Sequence, residues 1–159
     1  MEFYQIEGRL GLKNMPPLVA ELLRQIPRWH DEEWEAAEAR LFPCPSNDAG
    51  EDSLRSDWKA HVQPGLHELF QSSRQVVESD LRALVDEDEI FRLEFPLKHG
   101  EAWLNALNQS RLALAEQHNF DEAELSSSGP ISVENERDFA LLQISFYAML
   151  QQLLVEVLD

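Results

Sequence analysis

The stretch that decides the fold is residues 139–158, FALLQISFYAMLQQLLVEVL. Fifteen of its twenty residues are apolar, and Glu156 is the only charged residue among them. A helix of this length is long enough to cross the hydrocarbon core of a bilayer. The two alternatives for this segment are therefore a membrane helix and a core helix of a soluble protein.

The placement of the polar residues on the helix distinguishes between these alternatives. At steps of about 100° per residue, an arc of about 60° contains Glu134, Asp138, Ser145, Gln152, Glu156 and Asp159. In a helix surrounded by lipid, nothing would favour polar residues at these positions. In a helix packed among neighbouring helices, the same residues would lie along one narrow edge that contacts water. We therefore expect a core helix and no membrane association.

A helix with so much apolar surface needs several neighbours, because full burial of one large apolar side chain contributes roughly 1.5–3 kcal/mol. Apolar periodicity predicts further helices over 18–26, 31–41, 53–62, 65–85 and 99–118, and extends the last one to 133–158. Short alternating patterns predict a small β hairpin or strand element over 3–12 and 90–95. The predicted fold is mainly α, one domain over 1–159, with a helical bundle around the buried C-terminal helix. Alternatively, a second copy covers part of that helix in a homodimer.

The charge balance limits the partners that the protein binds. Thirty acidic residues against thirteen basic ones give a formal net charge of −17. Such a surface repels nucleic-acid backbones and anionic lipid, so we expect no nucleic-acid partner and consider mimicry of nucleic acid only as a minor alternative. The single cysteine, Cys44, allows no intrachain disulfide, which favours a cytoplasmic location.

Charged and polar residues on the apolar faces of two helices are the candidate site. Asp80 lies on the inner face of the 65–85 helix, and Asn108, Arg111 and His118 lie on that of the 99–118 helix. A buried charge must be paired, so we predict that Asp80 and Arg111 form an ion pair completed by Asn108 and Ser73. The pair is either a structural salt bridge that fixes the register of the helices, or part of a small-anion or carboxylate site around Arg111 and His118.

The sequence contains no motif that specifies a chemistry. Its five histidines have no metal-ligand spacing, and its six glycines form no phosphate-binding loop. We therefore predict no catalytic residue, no metal and no cofactor.

One run in the 99–118 helix resembles a known family. Residues 103–114, WLNALNQSRLAL, are similar to the Trp-Leu-x-x-Leu-Asn-x-x-Arg-Leu-x-Leu run of an uncharacterised bacterial family best known from actinobacteria. Residues 149–156, MLQQLLVE, resemble that family's final helix, and Arg40–Pro43 is a looser match. The family has no established activity. Its genes often lie beside that of the Clp protease adaptor, so the resemblance implies at most a link to protein turnover.

These observations give two hypotheses of function. The first is a cytoplasmic protein-interaction or regulatory module without catalytic activity, whose protein partner the sequence does not identify. The alternative is a small-ligand binder or enzyme with a pocket around Arg111 and His118, supported by Asn108 and Asp80. A solvent-connected cavity that reaches Arg111 would favour the alternative.

Overall fold

The computed structural model describes residues 1–28, 52–126 and 131–159. The strands are β1 Glu2–Ile6, β2 Arg9–Met15, β3 Val85–Glu87 and β4 Ile90–Pro96. The α-helices are α1 Pro17–Gln25, α2 Asp52–Asp57, α3 Gln63–Leu81, α4 Gly100–Gln117, α5 Glu122–Ser126 and α6 Glu136–Leu158. The predicted helix over 31–41, Cys44 and the segment Arg40–Pro43 lie outside the described residues.

The predicted β element is confirmed and forms a four-stranded antiparallel sheet in the described chain, in the order β1-β2-β4-β3. Its central pair is β2 and β4, in which Leu10 faces Phe95 and Leu12 faces Leu93. These four side chains are buried, so one face of the sheet belongs to the core. Both hairpins turn through two residues with positive φ, at Glu7-Gly8 and Asp88-Glu89, which matches the right-handed twist of the strands.

The expectation of a helix as far as Val85 is wrong. The helix α3 ends at Leu81, and Val85–Glu87 instead pairs with β4 as an edge strand. The acidic run after Val85 therefore supplies the β3–β4 turn, where the Asp86 carboxylate accepts a hydrogen bond from the backbone N–H of Glu89 at 2.8 Å.

The predicted helix break at Pro64-Gly65 is also absent. A π-helical turn, Trp58–Val62, connects α2 directly to α3, and Pro64 lies in the first turn of α3. Proline interrupts the regular hydrogen bonding of an α-helix, and this interruption falls next to the π-helical turn that precedes α3.

The mainly α character is confirmed, and the arrangement of a bundle around the C-terminal helix stays a prediction. Among the described helices, α4 is the central one, because it packs against both α3 and α6. Nine of the 18 residues of α4 are buried, against six of 23 in α6. The helix α6 begins at Glu136, three residues later than the predicted start at residue 133, and the side chain of its N-cap, Asn135, accepts a hydrogen bond from the N–H of Asp138 at 2.9 Å.

Candidate functional site

The predicted ion pair between Asp80 and Arg111 is not formed, because the Asp80 carboxylate has other partners. His99 Nδ1 lies 3.0 and 2.9 Å from its two oxygens, and Trp103 Nε1 donates to Oδ2 at 2.9 Å. A carboxylate only accepts hydrogen bonds, so Nδ1 of His99 carries the proton. We call Asp80, His99 and Trp103 the Asp80 cluster.

The Asp80 cluster joins the end of α3 to the start of α4. Trp103 is fully buried and stacks on Phe95 of β4, with ring centroids 4.5 Å apart and planes at 17°. His99 lies in the 3-10 turn Leu97–His99 that precedes α4, one helical turn before Trp103, so both donors point at the same carboxylate. The two hydrogen-bond donors compensate the free-energy cost of removing the Asp80 carboxylate from water. Through them, the carboxylate fixes the relative positions of α3, β4 and α4.

The contacts of the Asp80 cluster connect elements of the fold. An Asp–His pair can also orient a histidine as a base toward a nucleophile, a bound water or a substrate at the second imidazole nitrogen. Within residues 1–28, 52–126 and 131–159, the hydrogen bonds of His99 are those with Asp80, and no hydroxyl reaches its Nε2. The sequence contained a signal for this cluster, since His99 and Trp103 are four residues apart on one helical face, but we assigned His99 only as the start of a helix.

Arg111 binds the last helix instead of α3. Its Nη1 donates to Gln151 Oε1 at 2.6 Å, and Gln151 Nε2 donates in turn to the carbonyl of Leu104 at 3.4 Å. Burial lowers the pKa of the Arg111 guanidinium, and its buried Nε has no hydrogen-bond partner in the described chain. Arg111 thus links α4 to α6 through a neutral amide.

The remaining predicted residues are spread along α4. His118 is the C-cap of α4, seven residues or roughly 10 Å beyond Arg111, and its ring lies 5.9 Å from that of Phe120. Asn108 is half-buried between the two ends of the helix. An anion site around Arg111 and His118 stays a prediction, and two clefts in the described chain are lined by other residues.

Two buried polar residues of α4 were missed by sequence reasoning. Gln109, which we expected on the solvent face, is fully buried and donates to the carbonyl of Phe70 at 3.5 Å. Ser110 is also fully buried, and its hydroxyl donates to the carbonyl of Ile26 at 2.8 Å. Their burial follows from the central position of α4, which leaves it no continuous solvent face.

One side of α6 carries a regular apolar row. Its members are spaced by three and four residues in alternation and are Phe139, Leu142, Phe146, Met149 and Leu153, which we call the α6 stripe. Met149 is 43% exposed and the others are half-buried, and three of these, Phe139, Phe146 and Leu153, also pack against the core. A repeat of three and four residues is the spacing by which one helix packs along another.

By length and composition, α6 is also able to cross a membrane. Its most apolar window has a mean hydropathy of 1.4, and 28% of that window is buried. The core helices of soluble proteins meet the same criteria, so this finding favours neither alternative. In the part of the chain that the structure describes, no three His, Cys, Asp or Glu side chains are grouped as metal ligands.

Comparison with known proteins gives one match. A family model described as Domain of unknown function (DUF2017) matches residues 9–158, which is nearly the whole chain. No curated protein and no solved structure matches the sequence.

Proposed function

The chain belongs to the family described as Domain of unknown function (DUF2017), and we propose that it is a cytoplasmic protein-interaction module without catalytic activity. Its binding surface is the α6 stripe, and its ligand is an amphipathic helix of a partner protein with basic residues beside its apolar face. The observation that carries the proposal is the partial exposure of the α6 stripe, whose five apolar side chains have the spacing of a helix-pairing seam.

The length of the stripe suits a short partner helix. From Phe139 to Leu153 it extends over fourteen residue steps, or roughly 21 Å. Recognition of an amphipathic helix by an apolar surface uses anchors at this kind of spacing. Phe139, Phe146 and Met149 supply large side chains, and methionine adapts to partners of different shape.

Charge favours a basic partner over a second copy of the same chain. Glu136 and Asp138 lie at the start of α6, and Glu156 and Asp159 lie at its end. Two copies paired along the stripe would bring together two molecules of formal charge −17. Complementary charge instead accelerates association with a basic partner and disfavours like-charged ones.

The exposed polar residues of α6 support docking of a protein rather than insertion into lipid. Ser145, Gln152 and Glu156 are exposed along the helix beside the stripe. A helix surrounded by hydrocarbon would have to bury these groups without water, which costs several kcal/mol for a carboxylate. The net negative charge also repels the anionic cytoplasmic leaflet.

Site-specific photo-crosslinking in a native host tests the proposal. A photoreactive amino acid placed at Ser145 or Gln152, next to the stripe, should crosslink to an amphipathic helix with basic flanks in one protein. The same amino acid at Gln71, an exposed position on α3, is the matched background control. Crosslinks that map to α6 of a second copy, or no enrichment over the Gln71 control, would overturn the proposal.

Two variants of α6 then test whether the stripe itself binds. Met149 and Val155 are 43% and 44% exposed but lie on different sides of the helix. With the crosslinked segment as a synthetic peptide, Met149→Lys should weaken binding by about tenfold or more and Val155→Lys by less than about twofold. Equal losses would show that the stripe is not the binding surface.

Sedimentation tests whether the stripe binds a second copy of the chain, and vesicle flotation tests whether it binds a membrane. We expect a monomer, and no flotation with vesicles of neutral or anionic phospholipid. A dimer that Met149→Lys dissociates would assign the stripe to self-association, and flotation that Met149→Lys abolishes would assign it to a membrane. Either result would replace the proposed partner helix.

A further inference from the structure

A cleft between the end of α1 and the end of α3 brings together several arginine side chains, although basic residues are few in this chain. It has a volume of about 290 Å³ and is lined by Arg24, Pro27, Arg28, Glu78, Leu81 and Arg82, which we call the arginine cleft. We propose that the arginine cleft binds a small ligand through a phosphate group. This site is separate from the α6 stripe and does not depend on the function proposed for it.

The concentration of arginine is unusual for this composition. The chain has thirteen basic and thirty acidic residues, yet the lining of the cleft has three arginines and one acid. The local field of the three guanidinium groups dominates at short range, because charges beyond about 8 Å are screened at physiological salt.

The guanidinium groups of the cleft are weakly paired and available to a ligand. Among the residues that the structure describes, Arg24 and Arg28 both face Glu21, with N–O distances of 3.7 and 4.0 Å, which are longer than hydrogen bonds. Arg82 forms no ion pair with the residues that the structure describes. An anion that bonds these groups at ordinary hydrogen-bond distance therefore has little competition from the protein.

The backbone at the cleft is held in place from two sides. Arg74 Nη2 donates to the carbonyl of Pro27 at 3.1 Å, and the buried Ser110 hydroxyl donates to that of Ile26 at 2.8 Å. On the sheet side, the Arg24 guanidinium lies 5.3 Å from the ring centroid of Phe91. These contacts fix the backbone beside the cleft and position Arg24 before a ligand binds, which lowers the entropic cost of binding.

The arrangement favours a phosphate group over other ligands. Guanidinium groups bind phosphate oxygens through paired hydrogen bonds, and a phosphate monoester carries nearly two negative charges to balance several of them. The volume is at the lower limit of small-molecule sites, so a nucleic acid or a folded protein does not fit. Pro27 and Leu81 provide apolar contact for a short organic group attached to the phosphate.

Calorimetric titration of the full chain tests the proposal with three probes: inorganic phosphate, ribose 5-phosphate and citrate. We expect phosphate binding that weakens as ionic strength rises. Stronger binding of ribose 5-phosphate would identify a phosphate monoester as the ligand, and equal or weaker binding would identify free phosphate. Citrate binding as strong as that of both phosphates would overturn the assignment to a phosphate group.

Variants locate the binding to the arginine cleft. Arg24→Gln and Arg82→Gln should each weaken phosphate binding by about tenfold. Lys13→Gln removes the same charge from β2, outside the cleft, and should change binding by less than about twofold. Thermal unfolding checks that all three variants fold. Equal weakening by the three substitutions, or no heat of binding for either phosphate up to about 10 mM, would overturn the proposal.

Discussion

The last two turns of α3 carry charged residues on opposite faces, and these residues differ in how they are paired. On the inner face, Asp80 is 9% exposed and accepts hydrogen bonds of 2.9–3.0 Å from two donors. On the outer face, Glu78 and Arg82 are exposed and line the arginine cleft. The inner charge at this helix end thus contributes to the fold, whereas the outer charges are accessible to solvent.

The largest effect that this comparison predicts is the loss of Asp80. Asp80→Ala leaves the buried Trp103 N–H without an acceptor and should lower the free energy of unfolding by about 2–4 kcal/mol. Asp80→Asn keeps an acceptor for Trp103 and should cost less. Urea denaturation measures both changes.

Arg82→Gln is the control for this prediction on the outer face. It removes a charge two residues away and should change the free energy of unfolding by less than about 0.5 kcal/mol. If Asp80→Ala and Arg82→Gln had equal effects, the two faces would not differ as described.

We expect a smaller loss of stability when the buried contact that is removed is a hydrogen bond between two uncharged groups. Ser110→Ala removes the buried donor to the Ile26 carbonyl and should lower the free energy of unfolding by about 1–2 kcal/mol. Ser145→Ala on the exposed side of α6 is the matched control and should change stability by less than about 0.5 kcal/mol. A loss at Ser110 no larger than that at Ser145 would contradict the importance of this bond.

Elements with a strong local signal were predictable from the sequence. The apolar alternation of Phe91, Leu93 and Phe95 predicted β4, and the proline before Leu18 predicted the start of α1. The apolar periodicity of a helix does not show how many other helices pack against it. It therefore predicted α6 as the central helix, whereas the small residues Ala106, Ser110 and Ala113 allow α4 to be enclosed by α3 and α6.

The candidate site was predictable only in part. The sequence indicated that Asp80 needs a buried partner, which is correct, but local patterns do not specify which donor lies opposite it in three dimensions. On the basis of charge, Arg111 was the partner expected for Asp80. In the structure, the β4–α4 connection instead places His99 and Trp103 next to the Asp80 carboxylate. The arginine cleft joins residues about fifty positions apart, so no local pattern predicts it.

The smallest effect concerns a half-buried pair in which Tyr4 of β1 reaches across β2 to Glu94 of β4, and it is measured through its pH dependence. The hydrogen bond from the Tyr4 hydroxyl, at 2.5 Å, holds the pKa of Glu94 below its ordinary value, and Arg92 and Arg9 lower it further. A carboxyl whose pKa is lower in the folded than in the unfolded state stabilises the fold above the unfolded pKa. That contribution is lost as the pH falls through the folded pKa.

Tyr4→Phe should therefore reduce the urea midpoint most near neutral pH. The difference between the wild type and Tyr4→Phe should shrink as the pH falls from about 5 to about 3, because protonated Glu94 no longer benefits from the Tyr4 hydroxyl. In a Glu94→Gln background, Tyr4→Phe should produce a difference that does not change with pH. The same pH dependence in both backgrounds would show that Glu94 is not the group responsible, and that this pair, unlike Asp80, contributes nothing measurable to the fold.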